Sequence, residues 1–130
     1  MSAAPGAGLA PKLGIAPGAR VAALGAPDGF AALLEDTVLA GRLRGRFDVI
    51  VQFVPTFAVL ERRVEPSIAA LEERGRLWIA WPKRSSPLAS DLDDRVVRER
   101  MLASGLVDNK VCAIDETWSA LCFVRRLRPR

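Results

Sequence analysis

The apolar positions of this chain fall into short unbroken runs of strand length, separated by stretches in which they recur every three or four residues. The densest run is Phe47-Asp48-Val49-Ile50-Val51-Gln52-Phe53-Val54. Six of its eight residues are apolar, they do not alternate with polar ones, and Pro55 closes the run, the pattern of a β-strand covered on both faces. Arg20 to Leu24, broken at Gly25, and Arg76 to Trp81, closed by Pro82, predict two further strands. Between the second and third of these, Phe57, Leu60, Val64, Ile68 and Leu71 form a helical stripe that predicts a helix from Phe57 to Arg74. Pro66 inside it predicts a kink or two abutting helices, and Gly75 is placed to end it as a C′ residue. Ser90 with Asp93 three residues on resembles a capping box, opening a helix through about Ala103 whose apolar side is Leu92, Val96, Val97 and Met101. Leu106 to Ile114 and Trp118 to Val124 predict two last strands, joined by the hairpin loop Asp115-Glu116-Thr117.

The remaining segments are weaker in pattern. Residues 1–18 are dominated by Ala, Gly and Pro, with an apolar patch at Leu9, Leu13 and Ile15, and read as a loose leader or one helical turn ending at a Pro17-Gly18 turn. Phe30, Leu33 and Leu34 predict a short helix with Pro27 at or near its first turn. Residues 35–46 read as a short edge strand or loop, with Val38 and Leu39 followed by Arg42, Arg44 and Arg46. The order of elements implies a three-layer, Rossmann-like α/β fold: a mostly parallel sheet with helices on both faces and a C-terminal antiparallel hairpin. Strand 47–54 should lie near the middle, beside 20–24 and 76–81; residues 19–126 would form one domain and 127–130 a basic tail.

Composition changes this picture mainly by exclusion. Apolar runs of strand length leave no room for a transmembrane helix. Met1 to Gly8 carries no Lys or Arg and leads into no apolar stretch, unlike a secretory signal, so a cytoplasmic location is expected. The formal charge of +4 resides in Arg125, Arg126, Arg128 and Arg130; without them 15 basic residues face 15 acidic ones. Four arginines with no aromatic residue among them read as a solvated tail rather than a nucleic-acid site. Cys112 and Cys122 sit inside apolar runs and read as buried, reduced thiols, and two thiols without histidine make no ordinary zinc site. The chain has no histidine at all, which excludes histidine-based acid–base chemistry, Ser-His-Asp triads and Cys-His dyads.

Ligands of open α/β sheets bind at the carboxyl ends of the strands, where strand order reverses. Here those ends are Gly25–Gly29, Pro55–Thr56 and Pro82–Ser90, and they should converge. Gly25, Asp28 and Gly29 could present backbone N–H groups to an anion at a helix N-terminus, or simply form a tight turn. Lys83, Arg84, Ser85 and Ser86 put two cations and two hydroxyls on one loop, suited to an anionic group. Trp81, beside that loop, could floor a pocket. At the hairpin tip, Asn109, Lys110, Asp115 and Trp118 form a second candidate surface, with Asp115 and Glu116 as adjacent turn acids.

Several pieces resemble a known family: Lys12-Leu13-Gly14-Ile15, Pro17-Gly18, Gly25-Ala26-Pro27, Phe47-Asp48, Leu77-Trp78, Trp81-Pro82-Lys83 and, most extended, Leu106 through Ser119. They resemble small bacterial proteins that share a domain of unknown function, number three thousand and fifty-two. That resemblance implies no activity. A second resemblance is to the sheet of S-adenosylmethionine-dependent methyltransferases, in which a first strand ends in a glycine loop, a strand beginning Phe-Asp is central, and an antiparallel hairpin closes the sheet. The acid that would hold the ribose has no counterpart, because Glu35 and Asp36 lie too close to the first strand and 37–46 contains none. No cofactor, metal or catalytic residue is therefore predicted. The expected function is a small non-catalytic module that binds an anionic metabolite or a protein partner through the strand ends; the alternatives are a degenerate methyltransferase-like or nucleotide-using enzyme, and a weak nucleic-acid binder.

Overall fold

The computed structural model describes residues 8–34, 37–88 and 90–126. Its elements, in order, are α1 (Leu9–Leu13), β1 (Val21–Leu24), a 3₁₀ turn (Ala31–Leu34), β2 (Leu39–Ala40), β3 (Phe47–Phe53), α2 (Phe57–Ala69), β4 (Leu71–Pro82), α3 (Asp94–Leu102), β5 (Leu106–Ala113) and β6 (Trp118–Arg125). They build one six-stranded sheet in the order β2-β1-β3-β4-β6-β5. The first four strands are parallel, and β6 runs antiparallel to both its neighbours. The apolar run does form the interior strand: β3 lies between β1 and β4, and every residue of it except Asp48 is buried.

The pleat of β3 sends alternate side chains to two cores. On one face Ile50, Leu77, Ile79, Leu121 and Phe123 pack against Leu60 and Val64 of α2 and Val97 and Met101 of α3. These two helices are joined by Arg100 Nε donating to Glu61 Oε2 at 2.9 Å. On the other face Val49, Val51, Phe53, Trp78 and Cys122 pack against Leu9 and Leu13 of α1 and Phe30 and Leu34 around the 3₁₀ turn. Trp78 Nε1 donates to the Leu13 carbonyl at 2.9 Å, so residues 9–13 are packed on the sheet. The basic tail at 127–130 lies outside the described residues.

Four local expectations change. Helix α2 ends at Ala69 rather than Arg74, and it runs through Pro66 as one helix rather than two. Gly75 is not a helix cap; it lies in an irregularity of β4, where pairing with β3 jumps from Phe47↔Leu71 to Val49↔Arg76. A Cβ there would stand 2.7 Å from Leu71 Cδ1, so the glycine is needed for packing. Arg125, far from being solvated, donates to the Ile68 and Glu72 carbonyls at 2.9 and 2.8 Å and closes the end of α2. The cap of α3 is Asp93, not Ser90: its Oδ1 accepts the Val96 N–H at 2.9 Å, while Ser90 Oγ accepts only from Leu92 in the preceding turn. Among the described residues no helix is long and apolar enough to cross a membrane.

Candidate functional site

Because β1, β3 and β4 are parallel neighbours, Gly25, Val54 and Lys83 leave the sheet along one edge. From β1 the chain goes to β2 on one side and then to β3 on the other, which makes the β1/β3 boundary the point where the order reverses. Gly25 sits there with φ 72°, and a Cβ on it would lie 2.8 Å from the Phe53 carbonyl oxygen and 3.2 Å from Arg63 Nη1. Only glycine fits both that backbone and that approach. Gly29 also has positive φ, 90°, but nothing lies within 4 Å of its missing side chain. The expected helix N-terminus behind this loop is absent: Gly25, Asp28 and Gly29 are exposed, and only the four-residue 3₁₀ turn follows them.

The cation at the reversal point comes from an unexpected element. Arg63 projects from α2, half-buried, and its Nη1 donates to Gln52 Oε1 at 2.9 Å. Gln52 is fully buried on β3, and its Nε2 donates in turn to Ser67 Oγ at 2.8 Å. The amide is thereby satisfied at both ends, and one fork of the guanidinium is fixed from below while its other N–H groups stay unassigned to any acceptor in this relay. Arg63 was invisible in the sequence because it lies on the polar side of the α2 stripe. Gln52 was the available signal, since a polar residue within an otherwise apolar interior strand requires a buried partner.

Trp81 floors a separate cavity of about 310 Å³ between the sheet and the start of α3, lined also by Lys83, Arg84, Asp93, Val111 and Leu121. No residue of 25–29 is in it. Arg84 pairs with Asp93 at 3.6 Å, and the Val96 N–H, more than the neighbouring arginines, holds the Asp93 carboxyl below its usual value. Asp94 lines this cavity too, so its two cations face two carboxylates. Lys83 is half-buried and makes no ion pair among the described residues. Ser85 is exposed, and Ser86 Oγ accepts the Leu88 N–H at 3.3 Å. Neither serine lines the cavity. The loops along this edge are nonetheless tied: the Phe57 N–H donates to Asp91 Oδ1 at 2.8 Å, and the Lys83 N–H to the Thr117 carbonyl at 2.7 Å.

The hairpin-tip candidates disperse. Trp118 is buried edge-on against Phe53 with centroids 5.1 Å apart, so it serves core packing rather than a surface. Asp115 Oδ1 accepts the N–H groups of Thr117 and Trp118 at 2.8 and 2.9 Å, which forms the turn. Asn109 occupies the register shift between Asp108 and Lys110, and both it and Lys110 are exposed. Cys112 and Cys122 are free and buried; burial raises both thiols, Cys122 to about 11. No cluster of three His, Cys, Asp or Glu side chains able to hold a metal occurs among the described residues.

No family model and no curated protein matches the chain, so the likeness of 106–119 to the bacterial domain-of-unknown-function family gains no support. Solved structures do match. The ribosomal protein L11 methylase of Lactobacillus delbrueckii subsp. bulgaricus superimposes with a TM-score of 0.56 at 17% identity, covering 84% of this chain and 70% of that one. The magnesium protoporphyrin IX methyltransferase of Synechocystis PCC 6803, solved with bound SAM, gives 0.57 at 12% identity, with 85% and 71% covered. A putative methyltransferase from Pseudomonas syringae gives 0.52 at 15% identity over 85% and 90%. At these identities the likeness establishes the fold: the chain has a methyltransferase-like, Rossmann-type α/β architecture.

Proposed function

We propose that this protein is a non-catalytic binding module on a methyltransferase-like fold, holding a small anionic ligand at the carboxyl ends of β1 and β3 with Arg63 as its charged anchor. The observation that carries this reading is the Ser67–Gln52–Arg63 relay, which fixes a guanidinium beside Gly25 at the reversal of strand order. An arginine oriented in advance loses little freedom when it grips an anion, and its planar fork suits carboxylate or phosphate. The open backbone at Gly29 leaves room for the ligand above the loop. The Trp81 cavity is a weaker candidate, because Asp93 and Asp94 offset Lys83 and Arg84.

The alternative, a methyltransferase-like enzyme, is favoured by the structural neighbours alone. The residues of this chain do not fit S-adenosylmethionine. Arg63 crowds the end of β1, and β2 is followed by Gly41 and Arg42 where a ribose-binding acid is required.

Thermal-shift measurements with phosphate, pyrophosphate, citrate and adenosine monophosphate test this reading. At least one anion should raise the Tm at millimolar concentration. The increment should fall in Arg63→Gln and persist in Lys83→Ala. No increment with any anion, or one indifferent to Arg63→Gln, would overturn the proposal; calorimetric binding of S-adenosylmethionine would establish the enzyme reading instead.

A further inference from the structure

The opposite end of the sheet carries a second feature that the carboxyl-end reading does not use. There a cleft of about 380 Å³ opens between the 14–19 segment and the starts of β3 and β4. Arg74 and Arg76 line it from the irregular stretch of β4, and Asp48 lines it from β3. Neither arginine forms an ion pair among the described residues. Arg76 is half-buried beside the Cys122 thiol, a neutral partner, and arginine is seldom withdrawn from water without a counter-charge. Its side chain lies across Gly14, where a Cβ would meet Nε at 2.6 Å and Cδ at 2.8 Å; φ at Gly14 is 76°. A glycine is thus required to seat that side chain. Asp48, the acid among the lining residues, has Oδ2 occupied by the Arg20 backbone N–H at 2.9 Å, and its charge is outnumbered by those of the two arginines. Arg20, Arg44 and Arg46 precede β1 and β3 at the same end and add to the positive field.

We infer that this amino-end cleft is a binding site for a phosphate group, gripped by the guanidinium groups of Arg74 and Arg76. Two arginines lining one cleft supply planar forks that suit the oxygens of a phosphate, and the cleft is large enough to admit part of a nucleotide as well as the free ion. The site is distinct from Arg63, which lies at the other end of β3.

Calorimetric titration with inorganic phosphate and, separately, adenosine monophosphate tests the inference on the full chain. Either probe should occupy a site that weakens at least tenfold in Arg74→Gln and in Arg76→Lys, which keeps the charge but loses the fork, and that persists in Arg63→Gln. Arg74 is exposed, so its substitution keeps the test valid if Arg76 variants fold poorly. Phosphate alone binding would mark a free-ion site; tighter binding of the monophosphate would mark a nucleotide site. No binding of either probe, or binding abolished by Arg63→Gln yet retained by both amino-end variants, would overturn this inference; the second result would leave the carboxyl-end reading standing.

Discussion

At the residue scale, two glycines of one loop separate a conformational requirement from a packing one. Gly25 and Gly29 both have positive φ, but only Gly25 has a backbone oxygen, that of Phe53, at 2.8 Å from where a Cβ would stand. Gly29→Ala should therefore cost about 1 kcal/mol, the left-handed penalty alone. Gly25→Ala should cost about 2–4 kcal/mol, because strain and a clash with rigid backbone add. Urea denaturation of the two variants checks the difference, and equal losses would contradict it. Cys122 offers a second prediction. Its thiol is pushed up to about 11 by burial, so the folded state holds its proton where the unfolded state has begun to lose it. Stability is unaffected below the ordinary thiol value and falls as pH rises from there toward about 11. Cys122→Ala should lower the baseline stability yet flatten that alkaline decline, as read from Tm against pH. At pH 8 on the order of one native Cys122 in a thousand is thiolate, so thiol labelling should be slow until the protein unfolds.

At the element scale, what was legible depended on whether local pattern and tertiary packing agreed. The interior strand is legible because a run with six apolar residues in eight, not alternating with polar ones, buries both faces most simply as a covered strand. The boundary between α2 and β4 is not, and Leu71 is the reason. It continues the helical stripe of Leu60, Val64 and Ile68, yet it belongs to β4 and packs in the same core as they do. Pairing with Phe47, and Arg125 donating to the Ile68 carbonyl of α2 and the Glu72 carbonyl of β4, decide its state, and neither is local. The cap of α3 failed similarly: Ser90 and Asp93 are both good caps, and the choice rests on Asp93's contacts with Val96 and Arg84. Helix α1 is too short to persist alone and depends on the sheet through the Trp78–Leu13 hydrogen bond. Trp78→Phe should lower stability by about 1–3 kcal/mol through that bond and lost volume. It should also increase proteolytic cutting within residues 8–18 more than elsewhere; uniform protection would show that α1 is held by packing alone.

At the scale of the whole molecule, the parallel core sorts charge by end. Two arginines outnumber the single carboxylate, Asp48, among the residues lining the amino-end cleft, while the carboxyl-edge cavity balances Lys83 and Arg84 against Asp93 and Asp94. The carboxyl edge and the loops on it are legible in the sequence, because strand direction alone determines where they go. Arg63 and the Arg74–Arg76 pair are not, since each is positioned by contacts between elements remote in the chain. The sequence also predicts that the 25–29 and 82–90 loops share a pocket, whereas the Trp81 cavity draws its walls from α3, β5 and β6.

The central claim is that an anion binds beside Gly25 through Arg63. The most direct measurement is a two-dimensional nitrogen–proton NMR titration with the anion that gives the largest thermal shift. The account predicts that the Arg63 side-chain N–H and the Gly25 and Gly29 amides move together and saturate at one dissociation constant. Saturating shifts elsewhere, with these three resonances unmoved, would contradict it.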